Sequence, residues 1–211
     1  MRILAHRGYW NKSITENSPE ALYAALVKGY GFESDVRDYK GQMVISHNIA
    51  GEACQDAEEV FRWLYEFKDK YCFAVNIKAD GLKNILKEYI EKYKISNYFL
   101  FDMSVPQTVE FREMGLRYFT RQSEVEPQPC MYEDAAGVWI DGFWSTEWIT
   151  EELLKCHIRN GKEVCLVSPE LHGKKEHTSF WYSLKNYCID FDKMLICTDY
   201  PDEAEEFFYG T

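Results

Sequence analysis

The sequence predicts an α/β fold of the (β/α)8, TIM-type barrel class, built as a single domain over residues 1–211. Three observations carry that prediction. Short apolar runs alternate with longer stretches of helical period, the pattern of repeated βα units and a parallel sheet. The runs are RILAH, GFESDV, CFAVNIK, YFLFDM, LRYFTRQ, GVWIDGF, EVCLVSP and MLICTD, the eight strands that a barrel of this class requires. Finally, 211 residues fit one barrel, and no low-complexity linker, long repeat or shift of composition marks an internal boundary.

Each element has a local reason. The first run, RILAH, follows Met1 directly and ends at His6-Arg7. In SPEALYAALVKGY the apolar spacing is helical, and Asn17 or Ser18 ahead of Pro19 reads as the helix cap, which makes Glu16-Asn17 structural. The second run continues to a turn at Lys40-Gly41 and returns as an extended segment from Met43 to Ser46, ending at His47. DAEEVFRWLYEFKDKY and GLKNILKEYIEKYK flank the third run as helices. In the latter, Leu82, Ile85, Leu86, Tyr89 and Ile90 share one face, while Lys83, Lys87 and Glu88 lie on the other. VPQTVEFREMG, STEWITEELLKCHIRNG and TSFWYSLKNYCI continue the alternation, and the acidic residues of AEEVF and DEAEEFF form solvated faces.

Composition narrows the function. A net charge of -11 argues against holding nucleic acid or an anionic membrane by the overall field, so an anionic substrate needs local cations. Seven cysteines without CxxC spacing suggest neither a zinc ribbon nor a disulfide framework; Cys72, Cys165 and Cys197 sit in apolar runs and read as core thiols. With no signal-type or membrane-spanning apolar stretch, the expected location is the cytoplasm, with no stable membrane insertion. His157 and His177 read as structural, and Trp139, Trp144 and Trp148 as core.

In a barrel of this class, chemistry collects where strands end. His6-Arg7 ends the first run, Glu33 and Asp35 lie in the second, and Asn76 and Lys78 close the third; Asp102, Asp141, Glu170 and Asp199 close later ones. Glu33 and Asp35 are two apart, so in a strand both carboxylates point to one side, which in a barrel is inward. Buried together they require a divalent cation or inward Lys and Arg. Asn76 adds an amide oxygen, and Ca2+ or Mg2+ accepts such oxygen donors. His6 and His47 beside that site supply a general acid and a general base, and Arg7 and Lys78 offset the charge of a phosphate. This is phosphodiester chemistry in outline.

The same residues resemble the glycerophosphodiester phosphodiesterase family, a barrel group related in fold to the phosphatidylinositol-specific phospholipases C. A typical member reads His-Arg-Gly, Glu-Asn-Thr, Glu-x-Asp, His-Asp and, in its last strand and loop, Thr-Asp-x-Pro. Here these are His6-Arg7-Gly8, Glu16-Asn17-Ser18, Glu33-Ser34-Asp35, His47-Asn48 and Thr198-Asp199-Tyr200-Pro201, in the same order. The resemblance implies that His6 and His47 are the acid/base pair, that Glu33 and Asp35 ligate a divalent metal, and that Arg7 and Lys78 are phosphate-side residues.

Two departures stand out. The family's third-strand Glu-x-Lys, whose glutamate is a ligand, is Asn76-Ile77-Lys78 here, so one negative charge is lost, with Asp102, Asp141 or Glu170 as candidate compensation. The family's Trp-Thr-x-Asn is replaced by Ser168-Pro169-Glu170-Leu171-His172-Gly173, in which Glu170 is read as a substrate-side residue. The activity implied is hydrolysis of a glycerophosphodiester-like small phosphodiester, within lipid metabolism. The alternatives are an impaired barrel that binds a phosphorylated ligand or partner, and a lyase that releases a cyclic phosphate.

Overall fold

The computed structural model describes residues 1–175 and 177–210. Ala5–Tyr118 form one compact unit, the N-terminal unit below; Met1–Leu4 and the chain from Phe119 on form a second, the C-terminal unit. The first strand, β1 (Arg2–His6), begins in the latter and ends in the former.

In the N-terminal unit the order is α1 (Pro19–Lys28), β2 (Gly31–Tyr39), β3 (Gln42–Ile45), β4 (Gln55–Asp56), α2 (Glu58–Glu66), β5 (Phe73–Ile77), α3 (Lys83–Lys92), β6 (Tyr98–Phe101) and α4 (Val105–Glu113). β2 pairs in parallel with β5, and β5 with β6; the register sets Asp35 opposite Asn76. The far half of β2 turns back as the hairpin expected at Lys40-Gly41, both residues at positive φ, so that β3 lies antiparallel on it. Ser18 caps α1 by accepting from Ala21 N at 3.2 Å, Pro19 starts the helix and Gly29 ends it in the left-handed region. Its buried face is Ala21, Leu22, Ala25 and Leu26. Phe73 packs its ring 4.9 Å from Phe32 and 5.7 Å from Phe61, tying α2 to the sheet.

The C-terminal unit runs β7 (Phe119–Gln122), β8 (Gly137–Ile140), α5 (Glu151–Arg159), β9 (Glu163–Val167), α6 (His177–Asn186), β10 (Met194–Thr198) and α7 (Pro201–Tyr209), with short 3-10 turns at Pro169–His172 and Phe191–Lys193. Its four strands are parallel in the order β7, β8, β9, β10. Alternate residues, Val138 and Ile140, Val164 and Leu166, Met194 and Ile196, join Leu154, Trp181 and Leu184 of the helices in one core, the two-residue period of strands covered by helices. Residues 123–136, between β7 and β8, form turns without a helix.

All eight apolar runs are therefore strands, with β3 and β4 added after β2. Cys72, Cys165 and Cys197 are buried. Among the described residues, no helix is long and apolar enough to cross a membrane.

Candidate active site

β1 ends at His6 and the chain turns at once, with Arg7 at φ 54° and Gly8 at φ 87°. A Cβ on Gly8 would stand 2.6 Å from Ala21 C and 2.7 Å from Ala21 O, so only glycine lets this turn rest against the α1 backbone. Tyr9 N donates to Ala21 O at 2.8 Å, and Trp10 Nε1 to His6 O at 2.9 Å, fixing the turn. The result points Arg7 N at Glu33 Oε2, 3.3 Å away, and holds His6 Nε2 3.9 Å from the same oxygen.

Glu33 and Asp35 are 2 % and 1 % exposed, so their charges depend on protein partners. Asn76 Nδ2 donates to Glu33 Oε1 at 3.0 Å. Asp35 has both cations: Arg7 Nε is 3.2 Å from Oδ2 and Lys78 Nζ 3.4 Å from Oδ1. Each cation also reaches a second carboxylate, Arg7 Nη1 to Glu16 at 2.7 Å and Lys78 Nζ to Asp102 at 3.2 Å. Burial, and then the neighbouring Asp35, push the Glu33 carboxyl up to about 7 despite His6, Asn76 and Arg7. Burial pulls the Arg7 guanidinium down, but Asp35, Glu16 and Glu33 outweigh it and hold it above its usual value.

Glu16 and Asn17 correct the sequence reading. Ser18 alone of the two candidates caps α1, whereas Asn17, at φ 56°, turns its side chain into the cluster. Its Nδ2 donates to Asp35 Oδ2 at 2.7 Å, and its Oδ1 accepts from Ser34 Oγ at 2.7 Å. Both residues of the pair thus contact the charged site, and the Glu-Asn-Ser piece of the motif was the signal for them. Asparagine is among the few side chains that tolerate the left-handed conformation, which is what lets it turn inward here.

The other expected residues stand as follows. Ser46 N donates to Asp35 O at 3.0 Å, so His47 opens the loop immediately beyond that pairing; its ring is exposed and its Nδ1 lies 3.1 Å from Asn48 Oδ1. Arg7 and Lys78 are turned onto carboxylates rather than left open for an anion. Glu170 lies in the C-terminal unit, where its Oε1 accepts from Thr198 Oγ1 at 2.5 Å and from Asp199 N at 3.1 Å. In the same unit Asp141 accepts from Trp139 Nε1 at 2.9 Å and pairs with His172 Nε2 at 2.9 Å. His157 is buried between Tyr132 and Gln122, and burial lowers its pKa, as befits a structural histidine. Trp139 is buried as expected, but Trp144 is 73 % exposed and is not core.

The donor set can be tested against a divalent cation. Among the described residues no group of three or more His, Cys, Asp or Glu could hold a metal ion, so a third protein donor beside Glu33 and Asp35 would have to be of another type. Asn76 Oδ1 and Asp35 Oδ1 are buried and have no hydrogen-bond donor, although Lys78 stands at ion-pair distance from the latter. Asn76 is oriented by Glu33: with Nδ2 committed to that carboxylate, Oδ1 is left as an acceptor. Two buried carboxylates with an amide oxygen beside them fit a hard divalent cation.

No family model and no curated protein matches this sequence. Solved structures do match. A glycerophosphodiester phosphodiesterase from Parabacteroides distasonis is similar at a TM-score of 0.76 and 14% identity, covering 99% of this chain and 96% of that one. One from Agrobacterium tumefaciens gives 0.68 and 14%, covering 100% and 99%. An Oleispira antarctica phosphodiesterase, in complex with the product sn-glycerol-3-phosphate, gives 0.71 and 14%, covering 98% and 96%. At these identities the likeness is one of fold, and the fold is the (β/α)8 class expected from the strand runs.

Proposed function

We propose, from that shared fold and the carboxylate cluster it contains, that this chain is a divalent-metal-dependent phosphodiester hydrolase acting on a glycerophosphodiester-like small phosphodiester. The observation that carries the reading is the buried Glu33/Asp35 pair with Asp35 Oδ1 and Asn76 Oδ1 left without donors. Glu33, Asp35 and Asn76 would hold the cation, Ca2+ or Mg2+. When bound, that ion supplies polarisation of a phosphoryl oxygen.

The chain's own groups supply the rest. Arg7 and Lys78, oriented by Asp35, turn their remaining N–H groups to the phosphate oxygens and exchange part of their carboxylate contact for it. His6 Nε2, beside Glu33, moves the proton at one ester oxygen. His47, with Nδ1 taken up by Asn48, presents Nε2 for the proton at the other. Asn17 keeps Asp35 from rotating, so both cations stay in register.

The test is hydrolysis of bis(p-nitrophenyl) phosphate across Ca2+, Mg2+ and Mn2+, with product analysis to separate hydrolysis from release of a cyclic phosphate. The expected result is cation-dependent turnover that is lost in His47→Ala. Absence of turnover with every cation would overturn the reading and leave a ligand-binding barrel.

A further inference from the structure

We propose that the C-terminal unit contains a second ligand site, built from other residues than the carboxylate cluster, for a small organic anion bearing a planar or apolar group. The site is a cavity of about 590 Å³ whose walls include Trp144, Glu147, Lys174, Lys175, Ser179 and Ser183. That volume lies within the roughly 300–1,000 Å³ range of small-molecule pockets.

The walls are held before any ligand arrives. Glu124 accepts from three consecutive backbone amides of the loop after β8, Phe143 at 3.1 Å, Trp144 at 3.0 Å and Ser145 at 2.9 Å. The loop after β9 is fastened to the same segment twice, by Lys174 Nζ donating to Gly142 O at 2.5 Å and by His172 Nε2 paired with Asp141 Oδ1 at 2.9 Å. A backbone fixed at this many points nonetheless carries an indole that is 73 % exposed. Rigid support for a large exposed aromatic beside a cavity is the arrangement of a binding surface, where the ring's area is recovered on contact with ligand.

Charge selects the ligand's sign. Among the described wall residues, the ammonium groups of Lys174 and Lys175 stand against one carboxylate, that of Glu147, in a chain whose net charge is -11. Lys174 uses one of its three donors on Gly142 and keeps the others for an anion. Ser179 and Ser183, four apart on α6, line the same face, Ser183 Oγ donating to Ser179 O at 3.2 Å. A phosphate or carboxylate on the lysines, with its planar group on Trp144, engages the charged and the aromatic wall together.

Phenyl phosphate is the probe, titrated calorimetrically into the full chain and into Lys78→Met, which removes a cation of the carboxylate cluster. Saturable binding is expected in both, weakened about tenfold by Trp144→Ala and by Lys175→Met, each the loss of one contact. Trp144 is exposed and Lys175 lies outside the fastening bonds, so neither change removes support from the fold. Phenol and inorganic phosphate should each bind more weakly than the combined molecule. Binding that vanishes in Lys78→Met, or that ignores both cavity substitutions, would overturn the proposal. Hydrolysis is read separately, so failure of the proposed catalytic function leaves this result intact.

Discussion

Glu33 offers a prediction in which sign and size both follow from the site. Its carboxyl is displaced from 4.5 to about 7 because it is buried and stands beside Asp35. At about 1.4 kcal/mol per tenfold in proton affinity, ionised Glu33 costs the cation-free native state about 3 kcal/mol. Below 4.5 native and denatured chains are both protonated at this residue and no cost exists. Between 4.5 and about 7 the denatured chain releases the proton while the native chain keeps it, so stability falls as pH rises, and above about 7 the full cost is present. Glu33→Gln is neutral at every pH and, like the protonated parent, offers one carbonyl acceptor to Asn76 Nδ2 and Arg7 N. The variant should match the parent within about 1 kcal/mol near pH 4 and be more stable by about 3 kcal/mol near pH 8.5. Urea unfolding in the presence of a chelator measures both, and the change between them is the informative quantity. A difference that does not vary with pH, or that varies in the opposite direction, would refute the reasoning. Adding Ca2+ should then stabilise the parent more than the variant, because only the parent keeps both carboxylates.

Asn76→Glu should lower cation-free stability by about 2 kcal/mol or more, since it removes the donor to Glu33 and adds a third carboxylate, and should tighten Ca2+ or Mg2+ about tenfold or more by calorimetry. Asn17→Ala removes two 2.7 Å hydrogen bonds and should cost about 2 kcal/mol in urea unfolding, with a fall in turnover that a simple helix cap would not produce. Gly8→Ala forces a Cβ to within 2.6 Å of the Ala21 carbonyl carbon at positive φ, and should lower stability by about 3 kcal/mol or more, seen as a drop in Tm by circular dichroism.

What could be read from the sequence was set by local chemistry. Strands such as FAVNI and MLICT are apolar because both faces are covered, so their positions are written in composition, and Lys40-Gly41 marks its own hairpin. Glu33 and Asp35 share a face through the strand's two-residue period alone. The misread residues are those whose role depends on register and chain direction. Asn17 and Ser18 are equally able to cap a helix, and only the left-handed turn at Asn17 decides which one faces Asp35. For Arg7 and Lys78 the sequence names the charge but not the partner: that both pair with Asp35 depends on the β2–β5 register, which sets Asp35 opposite Asn76, and on the turn at Arg7. Trp144 looks like core in a stretch rich in Trp, yet Glu124, distant in sequence, fixes its backbone in a loop that leaves the ring outside.

The most direct test strips the protein with chelator and compares the parent with His6→Ala on a glycerophosphodiester, before and after Ca2+ or Mg2+ is restored. The expected result is no turnover in the stripped parent, recovery with the cation, and a loss of about a hundredfold or more in His6→Ala at saturating cation. Turnover that survives chelation, or that is equal in the two proteins, would contradict it.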